Sequence, residues 1–270
     1  MLNLPVMVIA VLVVLGLCLG SFVNALVWRL HEQAELGGKK DKKSAEYRDK
    51  LSISHGRSMC PACHHELSAK DLVPLFSWLS LKGRCRYCQV PIPVQYPLVE
   101  LSVAGLFAAS YVWWPQPLHD LGLYNFIFWL AILVGFAALA VYDIRWMTLP
   151  NKIIFPLIGL ALVQFLGGLI FYNTGWESIT GILWGVLIAS GIFYVIFQLS
   201  GGQWIGGGDV KLGFVLGVLL GGPLMSMLML FVASCLGTIA GLPMLLGGKR
   251  QAHIAFGPLL LSGTIIVQLF

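Results

Sequence analysis

Charged side chains are scarce in this sequence: Asp, Glu, Lys and Arg make up 11% of its 270 residues, against 58% hydrophobic residues. With a mean hydropathy of +0.84, the chain has far more apolar mass than a soluble domain of its length needs for a core. That excludes a water-soluble globular protein and leaves a polytopic membrane protein. The first 28 residues carry no charged side chain at all. They lack the basic stretch that precedes the apolar part of a removable signal peptide, and no clear small-residue cleavage site follows. They read as a membrane span, longer than the ~20 apolar residues that cross a hydrocarbon core. Residues 29–96 lack a glycine-rich nucleotide fingerprint, and no inverted repeat of the kind found in many transporters runs along the chain. No nucleic-acid partner is expected.

What charge is present is unevenly placed, with 12 of the 17 Lys and Arg between Arg29 and Tyr96. Further apolar stretches at 97–114, 124–142, 153–172, 179–199 and 254–270 predict spans. The uncharged run 212–248 has 37 residues, about 55 Å as a helix, too long for one pass through a core of about 30 Å. It is expected to fold back at "LGGPLM", where Gly221, Gly222 and Pro223 interrupt it. The expected fold is therefore an all-α polytopic membrane protein of about eight transmembrane helices. Its parts are a first helix over 1–28, a small cytoplasmic domain over 29–96, and about seven helices over 97–270. Lys and Arg in short loops accumulate on the cytoplasmic side. With the N-terminus outside, eight spans put the 29–96 segment, Arg145, Lys152, Lys211, Lys249 and Arg250 all inside, whereas a single pass over 212–248 would put the last two outside.

Cys18 and Cys235 stand alone in spans and read as small packing residues. The other four cysteines form "CPAC" (Cys60, Cys63) and "CRYC" (Cys85, Cys88), two pairs separated by 21 residues. That spacing predicts a structural zinc site of four thiolates. A reducing cytoplasm makes disulfides the weaker reading, and the loop is short of apolar residues, so bound metal would supply folding free energy. His55, His64 and His65 are alternative ligands, but four thiolates already close a tetrahedron. Residues 31–50 are a charged, solvated or helical insertion.

Two carboxylates sit in apolar surroundings: Asp143 in "VYDIRWMTLPN" and Asp209 in "GGGDVK". Singly, each has a plain structural role. Asp143 could pair with Arg145 or cap the next helix, and Asp209 could be the N-cap of a helix starting near Val210. Both, however, are placed at cytoplasmic helix ends, and two carboxylates packed together can share one proton, supplying a general base and a general acid at once. That is the chemistry of aspartyl proteolysis. Gly206, Gly207 and Gly208 would let backbone approach a substrate without side chains in the way. Lys211 either tunes Asp209 or snorkels to the interface.

The motifs "GSFVNALVWRL", "CPACHHEL", "FSWLSLKGRCRYCQVPIPVQYPLVE", "YDIRWMTLPN", "GGGDVKLG" and "FGPLL", in this order, resemble those of the type IV prepilin peptidase family, over nearly the whole chain. The chain departs from the family's pattern at Ala255, before the FGP motif, and at Leu149, before the Pro-Asn of the first aspartate motif. The resemblance implies a GxGD-type membrane aspartyl protease of the bacterial inner membrane, with Asp143 and Asp209 as its catalytic pair. Its substrates would be prepilins and pseudopilins, cut after a short basic leader. It also implies N-methylation of the new N-terminal residue with S-adenosylmethionine, by a site that these motifs leave unassigned. Glu100 would contact the leader or the methylation site, or hold an interfacial structural place. Three other readings compete. The aspartates could belong to an ion or proton-coupled transporter, or the chain could be a structural subunit of a pilus or secretion machine. A presenilin-like protease shares the aspartate logic but lacks the cysteine loop.

Overall fold

The computed structural model describes residues 4–37, 42–53, 55–172, 175–246 and 255–270. Lys249, Arg250 and the first residue of the expected last span, Ile254, lie outside these. Among the described residues the chain is helical, with no strand and only two isolated β-bridges. Five helical stretches are long and apolar enough to cross a membrane: Leu4–Glu35, Asp120–Trp146, Asn151–Tyr172, Gly175–Ser200 and Pro223–Leu242. The other apolar helices are shorter. The chain divides into two compact units, Met1–Val112 and Trp113–Phe270.

In the first unit α1 (Leu4–Glu35) packs on α4 (Gln95–Val112), with α2 (Lys42–Lys50) and α3 (Phe76–Ser80) between them in the chain. The α1 face that turns inward carries Leu12, Gly16, Gly20, Val23 and Val27, at helical spacing. Its glycines set the distance of approach. A Cβ on Gly16 would lie 2.6 Å from the Ala104 Cα, and one on Gly20 2.6 Å from the Glu100 Cα. Such small-residue stripes let helix backbones meet where apolar burial gives little drive. The compact unit thus takes in α4 and ends after Val112, rather than at Tyr96. α1 also runs seven residues beyond the expected end of the first span, to Glu35. The extension holds neither Pro nor Gly before Gly37, and Arg29 anchors it by donating to the carbonyls of Ser52 (2.9 Å) and Gly56 (3.0 Å).

The second unit holds α5 (Asp120–Trp146), α6 (Asn151–Tyr172), α7 (Gly175–Val186), α8 (Ile192–Ser200), α9 (Gly207–Leu220), α10 (Pro223–Leu246) and α11 (Gly257–Leu269). A π-helical turn, Leu187–Gly191, joins α7 and α8 into one rod. Against this rod lies α9, again through glycines. A Cβ on Gly217 would sit 2.6 Å from the Val186 Cα, and one on Gly185 2.8 Å from the Gly217 carbonyl oxygen. Ser190, in the π turn, donates to the Val210 carbonyl at 2.9 Å, where α9 has just begun. α9 ends where the sequence predicts a break. Gly221 closes it in the left-handed region (φ +65°), and Pro223 opens α10. Large apolar side chains such as Phe171 and Leu199 face outward, the arrangement of a lipid-facing surface.

Candidate functional site

Asp143 lies in the last turn of α5 and is 5% exposed. The helix stops four residues later because Met147 takes a left-handed conformation (φ 51°), and its amide donates to the Asp143 carbonyl. The residues 147–150 then lead directly into α6. The Asp143 carboxylate does not pair with Arg145, whose guanidinium lies over the Trp146 ring, 5.1 Å from its centroid. Instead its Oδ2 accepts the backbone N–H of Gly257 at 3.1 Å, a buried bond across 114 residues of chain. Gly257 opens α11, so the carboxylate faces the positive end of a helix dipole.

Asp209 stands in the first turn of α9, whose N-cap is Gly206 in extended conformation. The helix therefore begins three residues earlier than a cap at Asp209 would require. The Asp209 amide donates to the Gly206 carbonyl at 3.0 Å, and the Gly206 amide returns a bond to the Asp209 carboxylate, half of a capping box. The two carboxylates lie close enough for their charges to interact. Leu149 completes the arrangement. A Cβ on Gly208 would come within 2.8 Å of the Leu149 Cβ, and one on Gly257 within 2.7 Å of the Asp143 Oδ2 and 3.5 Å of the Leu149 Cδ2. Leu149 thus touches both the glycine before Asp209 and the glycine bonded to Asp143.

The remaining candidates spread out from this centre. Gly206 is exposed beside Asp209, while Gly207 faces Phe197 at ordinary contact distance. Lys211 turns away, donating to Asn151 Oδ1 at 2.8 Å with its ammonium over the Phe155 ring, and so ties α9 to the start of α6. Glu100 belongs to the first unit. It is 6% exposed, accepts the Leu75 amide at 2.7 Å, and is hydrogen-bonded by the Ser21 hydroxyl. The role of Gly257 was not assigned from sequence, although it belongs to the "FGPLL" motif and stands in a Gly-Pro pair at a helix start, where Pro is favoured for its fixed φ.

The four cysteines of the two pairs come together in the first unit, with their sulfur atoms all within 4.8 Å of one another. Each pair is held by the same turn. Cys60 N–H donates to the His65 carbonyl and His64 N–H to the Cys60 carbonyl; Cys85 N–H donates to the Val90 carbonyl and Gln89 N–H to the Cys85 carbonyl. The residue after each second cysteine, His64 or Gln89, has positive φ (55° and 58°), and a single β-bridge closes each turn. The histidines do not join the cluster: His64 bonds the Tyr47 hydroxyl, and His65 stacks on Tyr87 with centroids 3.7 Å apart. Burial alone would raise the Cys85 thiol, but the Cys88 and Tyr87 amides bring it down to about 7. Against the Val90 amide, burial and the neighbouring thiols push Cys88 up to about 12. Four sulfurs in contact cannot all ionise without a cation among them, so the cluster fits a metal ion. Beside it, burial would raise Asp71, but bonds from Arg86 (2.7 Å), Ser68 and Tyr87 (3.1 Å) hold its carboxyl down at about 2.

Residues 128–242 match the type IV leader peptidase family, and residues 14–114 match the bacterial peptidase A24 N-terminal domain. Among curated relatives, the prepilin leader peptidase/N-methyltransferase of Aeromonas hydrophila is 31% identical over 268 residues, covering 96% of this chain and 89% of the relative. The protein of that name from Pectobacterium carotovorum subsp. carotovorum is 31% identical over 261 residues, covering 93% and 89%. Its counterpart in Stutzerimonas stutzeri is 31% identical over 270 residues, covering 95% and 88%. No solved structure matches.

Proposed function

This chain belongs to the type IV leader peptidase family, and from that premise we propose that it is a prepilin peptidase and N-methyltransferase whose proteolytic dyad is Asp143 and Asp209. The observation that carries the dyad is the meeting of the α5 C-terminus and the α9 N-terminus around Leu149, with the Gly257 amide on Asp143. One proton is shared between the carboxylates. The ionised member takes a proton from water, whose oxygen forms the new bond to the scissile carbonyl carbon. The protonated member hydrogen-bonds the carbonyl oxygen as negative charge develops there. Collapse of the tetrahedral intermediate breaks the C–N bond, and the departing amine takes the proton that the base removed from water, which restores the singly protonated pair. The exposed glycine at 206 leaves room for an extended substrate backbone beside Asp209.

The eight apolar helices cross the bilayer with the N-terminus outside, which puts the cysteine-bearing segment and both aspartates at the cytoplasmic face. α9 has 14 residues, about 21 Å of helix, shorter than a hydrocarbon core of about 30 Å. Its first turn therefore lies within reach of a substrate whose basic leader stays in the cytoplasm and whose apolar helix enters the membrane. The metal is zinc, held by Cys60, Cys63, Cys85 and Cys88 as a structural site closed to catalysis. S-adenosylmethionine supplies the methyl group for the amine that cleavage exposes.

The test is leader removal from a prepilin in membranes carrying wild type, Asp143→Asn or Asp209→Asn. Processing by wild type alone supports the dyad. Processing that persists in both variants removes it and favours a structural subunit of a secretion machine, whereas ion flux lost in both variants with cleavage intact favours a transporter.

A further inference from the structure

α1 carries no charged side chain before Arg29, so Trp28 and Arg29 mark where it leaves the hydrocarbon. Ser21 stands eight residues earlier, about 12 Å of helix deeper in the span. Its hydroxyl bonds the Glu100 carboxylate, which also accepts the Leu75 amide at 2.7 Å. Leu72 and Pro74 line a shallow groove with Cys18, Ser21, Phe22 and Ala25 of α1. Both sets of contacts hold the segment 72–75, part of the cysteine-bearing insertion, beside a stretch of α1 that lies within the bilayer.

Irregular backbone at that depth needs protein partners for its polar groups. The amides of Leu72, Phe76 and Ser77 donate to the carbonyls of Ala69, Pro74 and Val73, and Pro74 has no N–H to satisfy. Leu75 enters α3 in a left-handed conformation (φ 62°), and its amide is the one that Glu100 takes. A carboxylate within a span is costly, and a loop lying in water would not need one for this bond. The side chains divide in the same way. Trp78 turns inward, its Nε1 donating to the Ile92 carbonyl at 3.2 Å, whereas Leu72, Val73, Phe76 and Leu79 are exposed, Phe76 by 66%. Asp71 is the one acidic residue in 67–99, and its side chain is 4% exposed and bonded by Arg86. Lys70, Lys82 and Arg84 are exposed, so cations flank the apolar stretch on both sides in the chain.

We propose that residues 72–81 form a re-entrant segment seated in the bilayer interface among anionic phospholipids. Leu72, Val73, Phe76 and Leu79 meet acyl chains, and Lys82 and Arg84 meet phosphates. Exposed apolar side chains with flanking cations suit such an interface. The basic leader of a prepilin suits it less, because it would meet the same cations. The proposal rests on α1 crossing the bilayer, and it gives Glu100 an interfacial structural place, as the acceptor that lets this segment sit below the surface.

Trypsin releases the segment whole, as Asp71–Lys82, beside Ser58–Lys70 and an α1 peptide ending at Arg29. The full metal-loaded chain in nanodiscs is photolabelled with phosphatidylcholine bearing a diazirine on its acyl chain or, in parallel, with a water-soluble diazirine amino acid. Adducts on each peptide are then measured by mass spectrometry. The expected acyl label on Asp71–Lys82 is several-fold above that on Ser58–Lys70, and it rises when phosphatidylglycerol replaces part of the phosphatidylcholine. Phe76→Asp should lower the acyl label several-fold and raise the aqueous one, while Phe76→Leu should keep the wild-type pattern. Unchanged metal content in both variants reports a folded unit, and the wild-type pattern decides if Phe76→Asp does not fold. Arg84→Gln should weaken the response to phosphatidylglycerol. Aqueous label alone on Asp71–Lys82, with acyl label on α1, makes the segment a solvated loop and overturns the proposal while α1 still spans. Acyl label on neither removes the span itself. Acyl label displaced from Asp71–Lys82 by an added prepilin makes the surface a substrate dock instead.

Discussion

Gly257 shows how far one residue can govern a carboxylate that lies 114 positions away. Its amide orients Asp143, and a Cβ there would approach the Asp143 Oδ2 to 2.7 Å. Gly257→Ala is therefore expected to push the carboxylate aside. A displacement of about 1 Å in a reacting group costs on the order of 10²-fold in rate, so leader cleavage should fall by about that factor while metal content and yield stay near wild type. Cleavage kinetics beside metal analysis check this. The two aspartates stand out in the sequence because charge is so scarce that any carboxylate in an apolar stretch demands a partner. Gly257 was visible only as part of the "FGPLL" motif; its bond to Asp143 was not, since a hydrogen bond between distant backbone and side chain leaves no local pattern. Lys211 was ambiguous for the same reason: a snorkelling lysine and one bonded to Asn151 look alike until α6 and α9 are placed. Asp71 makes a further residue-scale prediction. Its carboxyl is held at about 2 against an ordinary 3.8, so its stabilising contribution is complete above about pH 4 and is lost only as pH falls towards 2. Asp71→Asn removes it at every pH above that window. The variant should lower the thermal midpoint at pH 7 and at pH 6 by the same amount.

At the scale of elements, helix ends decide where Asp143 and Asp209 sit. The break at Gly221 and Pro223 could be read in advance because two glycines and a proline leave a helix no way to continue. The start of α9 could not, because three consecutive glycines carry almost no preference and the N-cap residue, Gly206, has no side chain to mark it. The extension of α1 to Glu35 depends on Arg29 finding carbonyls at Ser52 and Gly56, which spacing along the chain does not reveal. The glycine stripes were visible as composition but not as contacts. Gly217→Leu would drive a side chain into the Val186 backbone, 2.6 Å from the position of a Cβ. Because Gly217 and Asp209 belong to the same helix, α9, the variant is expected to lose both thermal stability and cleavage, which distinguishes it from Gly257→Ala. Differential scanning fluorimetry with the cleavage assay separates the two.

For the whole molecule, the polar and apolar parts of the sequence foretold a cysteine-bearing insertion within a helical membrane protein. The compact units, however, divide after Val112, because α4 packs on α1 through Gly16 and Gly20. The cysteine cluster belongs to that first unit, whose polar segment has few large buried apolar side chains beyond Leu51 and Met59. Metal binding should thus contribute to its folding. Cys60→Ser is expected to reduce the metal bound per chain to near zero, measured by inductively coupled plasma mass spectrometry, and to make residues 50–90 the first cut by protease. Retention of metal in that variant would mean that the histidines or another group complete the site.

The central claim is that one chain, using Asp143 and Asp209 together, removes a leader and that the product is then methylated. The most direct measurement is the intact mass of a prepilin after incubation with the purified chain in nanodiscs, with and without S-adenosylmethionine. Wild type should yield the mature mass alone without the donor, and that mass plus about 14 Da with it. Asp143→Asn and Asp209→Asn should each leave the precursor uncut. A mature product from either variant at the wild-type rate would contradict the account.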